Sequence, residues 1–290
     1  MTDVSIVIIS KDERFLDDTL RDLSTHESRY THEVVVVDAS DGRLGDLAAA
    51  YPDVRWVHFE KSPTSEKTIT IPEQRNMGIQ QAKSDVVVFT DSGCRPQPGW
   101  LDALAAPLID RTEMVTVGSY QSLTPSPYNR IQFDGGPVRE APTLNFAFRR
   151  EVVDRIGWFD EDFSYCSDAD FCWRVNDAGM RVMSIPEALV LVDWERGKRQ
   201  NRRSRRYGAG RARLYAKHPR RMRTVLKNDP IMVVYPIFLL GLPLTLLFPV
   251  YPLLLLVPLW RARGDHPVGI VIDHLHYGAG VLGYLTRTSP

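Results

Sequence analysis

The side chains best placed to do chemistry are acidic residues that follow apolar, strand-like runs. Asp91 lies one residue beyond the run Val86–Phe89, and Asp38 directly follows a second run, Val34–Val37. In an open α/β sheet, ligands bind outside the carboxyl ends of the strands, so carboxylates placed there face a cleft rather than the core. An Asp after a strand can also serve only as a turn former or helix cap. The pattern therefore predicts a ligand site at one sheet edge, with turn formation as the alternative.

A further group of acidic residues lies in the aromatic-rich segment 158–174, which holds five carboxylates. Asp168 precedes a helical run, Phe171–Ala178, that Gly179 stops, so the pattern places Asp168 near a helix N-terminus. Backbone N–H groups and the helix dipole keep a carboxylate ionised there, which suits a general base better than a general acid. The competing interpretation, that the carboxylate merely caps the helix, is stronger for Asp170 than for Asp168.

Strand-like and helix-like runs alternate through the first 90 residues. Strand-like runs occur at Val4–Ile9, Val34–Val37, Val54–Phe59 and Val86–Phe89, and the β-branched residues of the first are typical of a strand buried on both faces. This alternation predicts an α/β fold built on a mostly parallel sheet. The chain has no GxGxxG after its first strand and no GxxxxGK[ST] anywhere, so neither a dinucleotide site nor a P-loop is supported.

Short motifs along the chain resemble, in the same order, those of the family 2 inverting glycosyltransferases, whose catalytic domain has the GT-A fold. The resemblance covers about residues 4 to 220, and its last two motifs are similar to those of a membrane-associated exopolysaccharide branch. The motifs are Ser5–Ile8, Val36–Asp41, Arg75–Gly78, Phe89–Gly93, Asn145–Arg150, Ile156–Glu161, Ser167–Asp170, Arg206–Gly210 and Lys217–Pro219. The GT-A fold implies helices on both faces of the sheet.

The resemblance implies an inverting hexosyltransferase of polysaccharide biosynthesis, which moves a sugar from a nucleotide-sugar donor to a hydroxyl of a lipid-linked or membrane-proximal saccharide. It implies Asp168 as the catalytic base and Mg²⁺ or Mn²⁺ as cofactor, since hard divalent ions prefer oxygen ligands and substrate phosphates. The implied donor-binding residues are Ser10, Asp38, Arg75, Asp91 and Ser92. The implied acceptor-side residues are Asn145 and Asp170.

Three positions depart from the family pattern. The Asp-x-Asp metal motif reads Asp91-Ser92-Gly93, the later Glu-Asp pair reads Ser167-Asp168, and a position that is often His is Asp193. We therefore expect Asp91 to bind the metal, with Asp193 as a candidate replacement for the missing second carboxylate. The departures leave a catalytically silent nucleotide-sugar binder as an alternative, beside a polyprenyl-phosphate glycosyl synthase. A nucleotidyltransferase is disfavoured because the Gly-rich, basic N-terminal loop of such enzymes is absent.

Charge is distributed unevenly although Lys and Arg equal Asp and Glu at 36 each. The segment 196–228 holds 14 Lys or Arg and no Asp or Glu, and the next segment, 231–260, holds no charged residue. A basic belt directly before a long uncharged run is typical of a membrane anchor that faces anionic lipid, and it disfavours nucleic acid as the partner.

The predicted organisation is a GT-A catalytic domain at 1–195, a basic amphipathic collar at 196–228 and a C-terminal membrane anchor at 229–290. The three cysteines form no CxxC pair, which fits a reducing compartment. We expect the protein at the plasma membrane, with its catalytic domain on the cytoplasmic side.

Overall fold

The computed structural model describes residues 2–61, 69–123, 130–192, 198–261 and 267–287. The chain divides into two compact units. Unit 1 comprises residues 1–162 and 167–194, and unit 2 comprises residues 163–166 and 195–290.

Unit 1 is built on one ten-stranded sheet. Its strands are β1 (Val4–Ser10), β2 (His32–Asp38), β3 (Arg55–His58), β4 (Val86–Thr90), β5 (Cys94–Pro96), β6 (Val115–Ser122), β7 (Arg130–Ile131), β8 (Gly136–Val138), β9 (Asn145–Arg149) and β10 (Val182–Val192). Its helices are α1 (Leu16–Ser24), α2 (Gly45–Ala50), α3 (Ile71–Gln81), α4 (Trp100–Ile109), α5 (Glu151–Ile156) and α6 (Ser167–Asp177). The main strand order is β3-β2-β1-β4-β9-β6-β10-β5, with β7 beside β6 and β8 beside β10.

The sheet is parallel in its first half and mixed in its second. Strands β3, β2, β1 and β4 are mutually parallel, as predicted. The prediction of a mostly parallel sheet is wrong beyond β4, because β9 runs antiparallel to both of its neighbours, β4 and β6. The described residues between α4 and α5 form four strands in succession, and strands joined without a crossover helix can reverse direction. The whole is therefore a mixed α/β sheet.

Helices cover both faces of the sheet. Leu16 of α1 and Trp100 of α4 pack in a core on one face, while Ile79 of α3 and Phe171 of α6 belong to a second core on the other. Helix α3 lies so close to β1 that a Cβ added at Gly78 would come within 2.3 Å of Val7 Cγ1. This contact fixes α3, and with it the side chains of its first turns, against the sheet.

The described residues of unit 2 form five helices and three short 3-10 segments. The helices are α7 (Lys198–Lys217), α8 (Val225–Asn228), α9 (Ile231–Leu240), α10 (Leu256–Arg261) and α11 (Pro267–Arg287), and the 3-10 segments are Pro219–Thr224, Leu242–Leu246 and Tyr251–Leu255. Close glycine contacts join α7 to α11, since a Cβ at Gly280 would lie 1.9 Å from the Arg205 carbonyl oxygen. Within the described ranges, none of the helices combines the length and apolar character needed to cross a membrane.

Candidate active site

Three of the predicted donor-binding residues share one edge of the sheet. Strands β1, β2 and β4 are parallel, so their carboxyl ends, with Ser10, Asp38 and Thr90, lie at the same edge. Ser10 and Asp38 are direct register partners, and Asp91 follows β4 without an intervening residue. The parallel topology therefore brings side chains from three separate stretches of sequence to one cleft-forming edge.

Asp38 combines the two roles that its position suggested. Its side chain is buried, and its Oδ1 accepts a hydrogen bond of 3.0 Å from the backbone N–H of Ser40, so it does shape the turn. This bond occupies only one carboxylate oxygen. Beside it, the Ser10 hydroxyl is buried, and within the described part of the chain it has no hydrogen-bond partner. A buried hydroxyl without a partner is costly and indicates a polar group that a ligand or water satisfies.

Glu13 is a site residue that the sequence reasoning missed. It lies in the loop between β1 and α1, where its carboxylate is near the Ser92 side chain and the Asp91 carboxylate. Glu13 reaches solvent, yet the protein around its carboxylate removes much of its hydration. This desolvation, followed by the negative charge of Asp91, raises the pKa of Glu13 to about 7. The two carboxylates therefore sit close enough to repel each other.

The Asp91 loop explains why Glu13 is near. Gly93, which stands where the family motif has its second Asp, has a φ of +84°, and a Cβ there would lie 3.4 Å from Phe15 Cβ. The Gly93 N–H also donates to Thr19 Oγ1 at 2.9 Å. The missing acidic residue thus coincides with close packing of the β1–α1 loop, which carries Glu13 to Asp91. In sequence, only the position of Glu13 after a strand that ends at this edge could have signalled its role.

The residues present could supply some, but not all, of the ligands of a hard divalent cation. Asp91 and Glu13 offer oxygen donors, which Mg²⁺ and Mn²⁺ prefer, and such ions also take ligands from substrate phosphates. Among the described residues, no group of three or more His, Cys, Asp or Glu is arranged to hold a metal without such help. Asp193, the predicted replacement ligand, lies outside the described residues.

Asp168 lies in the first turn of α6, which begins four residues before the helix predicted from the sequence. Its carboxylate is partly buried, and its Oδ1 accepts a 2.9 Å hydrogen bond from the N–H of Ala169. The preceding residue, Ser167, is held by Arg75, whose Nη1 donates to Ser167 Oγ at 3.0 Å. Arg75 is itself buried, with its guanidinium 5.5 Å from the centroid of the Phe159 ring. These contacts make Arg75 a residue that positions the start of α6 relative to α3.

The structure does not favour the acceptor-side roles predicted for Asp170 and Asn145. Asp170 is completely buried and pairs with Arg174 at 2.8 Å. Asn145 is also completely buried: Trp100 Nε1 donates to its Oδ1 at 2.7 Å. Its Nδ2 donates to two backbone carbonyl groups, those of Ser119 and Ala188, at 2.8 Å each. Both side chains brace the sheet and its helices, and neither reaches a surface where an acceptor would bind.

Comparison with family models identifies the protein family to which this chain belongs. The family model described as glycosyl transferase family 2 matches residues 5–163, and that of glycosyl transferase family group 2 matches residues 132–262. The chain belongs to glycosyltransferase family 2. The first match contains β1, β2 and β4 with Asp38 and Asp91, and it confirms the resemblance drawn from the motifs.

Relatives with assigned activities are glycosyltransferases of greater length. The chain is 30% identical over 210 residues to the pre-mycofactocin glycosyltransferase of Mycobacterium tuberculosis, covering 64% of this chain and 43% of that protein. It is 23% identical over 212 residues to the chondroitin synthase of Pasteurella multocida, covering 56% of this chain and 22% of that protein. The chain thus spans less than half the length of these relatives.

Solved structures support the fold assignment. A mannosyltransferase from Pyrobaculum calidifontis, in complex with GDP-Man and Mn²⁺, superposes with a TM-score of 0.67 at 16% identity, covering 99% of this chain and 88% of that one. TarS residues 1–349 from S. aureus give a TM-score of 0.55 at 14% identity, covering 99% and 92%. At these identities the similarity concerns the fold, and it agrees with a GT-A sheet.

Proposed function

We propose that the protein is an inverting glycosyltransferase that moves a sugar from a nucleotide-sugar donor to a hydroxyl of a lipid-linked or membrane-proximal saccharide. The observation that carries this proposal is that Asp38, Asp91 and Glu13 lie at the same carboxyl edge of a family 2 sheet. In addition, Asp168 lies in the first turn of α6, which the Arg75–Ser167 hydrogen bond connects to α3. The first three suit a donor with a diphosphate, and the fourth suits activation of an acceptor.

On the donor side, the free carboxylate oxygen of Asp38 accepts a hydrogen bond from the base or ribose, with the buried Ser10 hydroxyl beside it. Asp91 and Glu13 would hold Mg²⁺ or Mn²⁺, and the bound ion supplies positive charge against the departing diphosphate. The Mn²⁺ in the complex of the Pyrobaculum calidifontis mannosyltransferase supports this cofactor class. Asp193 remains a proposed additional ligand.

On the acceptor side, Asp168 acts as the general base. The acceptor hydroxyl oxygen attacks the anomeric carbon in line, the bond from that carbon to the phosphate oxygen breaks, and nucleoside diphosphate leaves. The hydroxyl proton passes to Asp168, so a single carboxylate is enough for inversion. Arg75 keeps the first turn of α6, and hence Asp168, in place through Ser167.

We propose further that the protein works at the cytoplasmic face of the plasma membrane. The support is the basic character of unit 2, in which Arg220, Arg223 and Lys227 are exposed within the acid-free segment 196–228. Such residues near a membrane surface are each worth about 1 kcal/mol of attraction to anionic lipid. A membrane-bound acceptor is then delivered to an enzyme that shares its surface.

One experiment tests the enzymatic proposal directly. The purified chain in detergent is screened against UDP-, GDP- and dTDP-sugars with Mn²⁺ or Mg²⁺, and both thermal stabilisation and release of free nucleoside diphosphate are measured. We expect one donor class to stabilise the protein and to release nucleoside diphosphate when a saccharide acceptor is present. Stabilisation with no release under any acceptor would identify a silent nucleotide-sugar binder instead.

A further inference from the structure

Among the described residues, the most exposed large apolar side chains lie in a short segment of unit 2. It comprises residues 242–250, here called the apolar tip, between the end of α9 and Tyr251. Six of its large side chains are solvent-exposed, and Leu246 is exposed over 90% of its surface. These side chains are Leu242, Leu244, Leu246, Leu247, Phe248 and Val250. Contiguous apolar patches of this kind mark surfaces that bind another molecule or a membrane.

The apolar tip is a built structure rather than an open loop. Tyr251 folds back onto α9, where its ring stacks on Phe238 with centroids 5.3 Å apart and its hydroxyl donates to the Phe238 carbonyl at 3.0 Å. Gly241 makes this closure possible, since a Cβ there would lie 2.0 Å from the Tyr251 hydroxyl. The tip is therefore clamped at its base by an aromatic pair.

The polar backbone of the tip is also largely self-satisfied. The N–H groups of Leu244, Leu247 and Phe248 donate to carbonyl groups within the same turn. Pro243 and Pro249 have no N–H to satisfy. In hydrocarbon each unsatisfied backbone group costs several kcal/mol, so a loop that enters lipid must solve this problem internally. A protein interface instead contains about one hydrogen bond per 100–200 Å², and this tip offers few polar groups to form such bonds.

The charge distribution and the length of the segment around α9 are suited to insertion into one leaflet of a bilayer. The exposed Arg220 and Arg223 lie in the 3-10 segment Pro219–Thr224 and the exposed Lys227 lies in α8, both shortly before α9 in the chain. Positive charge therefore flanks the apolar segment 231–260, and none lies within it. Helix α9 has ten residues and is therefore about 15 Å long, half of a hydrocarbon core of about 30 Å. Its outward face continues the apolar surface through Val234, Ile237 and Leu240.

We propose that the apolar tip is a membrane wedge, which inserts into one leaflet of an anionic bilayer while the basic residues at its base bind the lipid headgroups. This goes beyond the proposed function because it names the inserting residues, and it does not depend on sugar transfer. The apolar contact adds to the electrostatic one, so the full chain should stay on vesicles in salt that screens the basic residues.

The test is a depth measurement on the full chain. The three native cysteines, at 94, 166 and 172, are buried, so a nitroxide can be attached to Leu246→Cys, with the exposed Glu27→Cys of unit 1 as control. With vesicles of phosphatidylcholine and phosphatidylglycerol, we expect collisions of the 246 label with oxygen to rise and collisions with a polar nickel chelate to fall, while the 27 label does not change. Unchanged nickel accessibility at 246 would overturn the proposal. So would shielding at 246 that depends on protein concentration without vesicles, because it would mean self-association.

A variant keeps the proposal testable by a second route. Leu246→Asp with Leu247→Asp should reduce flotation with these vesicles in high salt by at least tenfold, whereas Leu123→Asp, an exposed leucine of unit 1, should not. Equal flotation of the two variants would overturn the wedge. Nucleoside diphosphate release is measured on the unmodified chain with the same vesicles. Failure of that chain to insert, with release retained, refutes only the wedge, and insertion without release refutes only the enzyme.

Discussion

The two carboxylates that face each other across the Asp91 loop form the part of the site with the sharpest consequences. We predict that Asp91→Asn abolishes cation-enhanced nucleotide binding and that Glu13→Gln weakens it by at least tenfold, because each removes one anionic ligand. Free Mn²⁺ is followed by electron paramagnetic resonance during titration with UDP or GDP. The exposed Asp53→Asn and Glu27→Gln serve as matched controls and should titrate like wild type. A Glu13→Gln variant with unchanged Mn²⁺ affinity would remove Glu13 from the ligand set.

The raised pKa of Glu13 also predicts how stability depends on pH. The folded protein holds the Glu13 proton up to about pH 7, against an ordinary value of 4.5, so stability falls as the pH rises between these values. Glu13→Gln cannot lose a proton. In EDTA its melting temperature should match wild type below pH 4.5 and exceed it, by a modest margin because Glu13 reaches solvent, above pH 7. Thermal unfolding followed by circular dichroism from pH 4 to 8 checks this, and a constant difference across that range would contradict it.

Asp168 tests what the acceptor is. A polyprenyl phosphate is already largely ionised near neutral pH, since the second pKa of a phosphate monoester is about 6. A sugar hydroxyl needs a base, which is typically worth about 10² to 10⁴ in rate. Asp168→Asn should therefore retain donor and metal binding but lose at least about a hundredfold in transfer to a saccharide hydroxyl. Near-wild-type transfer to a polyprenyl phosphate by this variant would instead identify a lipid-phosphate glycosyl synthase.

At the scale of elements, the link from α3 to α6 predicts a positioning effect. Ser167→Ala removes the hydroxyl that Arg75 holds at 3.0 Å but leaves Asp168 in place. We expect a loss of about tenfold in kcat, because a displaced catalytic group costs up to about 10² per ångström. The KM for the donor should stay unchanged, and Ser167→Thr, which keeps a hydroxyl, should restore part of the rate. Parallel changes in donor binding would show that Ser167 acts on the donor instead.

The sequence predicted the strands correctly where each apolar run forms one strand of the parallel half of the sheet. Runs such as Val34–Val37 are apolar and β-branched on both faces, so they predicted parallel strands and placed Asp38 and Asp91 at one edge. Glu13 was not readable, because its partner Asp91 is 78 positions away and only the packing of the β1–α1 loop brings them together. A motif alone cannot tell a polar side chain that braces the interior, as those of Asn145 and Asp170 do, from one that faces a ligand. The mixed second half of the sheet was missed because β9, which runs antiparallel to β4 and β6, follows β7 and β8, strands of two and three residues, with no crossover helix between them.

At the scale of the whole molecule, the proposed catalytic site and the proposed membrane contacts fall in different parts of the chain. The proposed site residues belong to unit 1, and the acid-free basic segment and the apolar tip belong to unit 2. We predict that truncation after residue 228 leaves a folded protein that is still stabilised by its nucleotide-sugar donor, because the sheet and its edge are complete. Thermal shift with the donor class found for the full chain measures this, and loss of stabilisation would show that the C-terminal segment contributes to the site.

The same truncation separates the two modes of membrane attachment. It keeps the basic residues through Lys227 but removes α9 and the apolar tip, so only electrostatic attraction to anionic lipid remains. Exposed charges separated from lipid headgroups by more than a Debye length, about 3 Å at 1 M salt, are screened. The truncated chain should therefore bind phosphatidylglycerol vesicles at low salt and leave them at about 1 M salt, whereas the full chain should remain bound. Flotation of both forms across a salt series measures this difference. Salt-resistant binding of the truncated chain would require an apolar contact within its 228 residues. Salt-induced release of the full chain would mean that the tip does not insert.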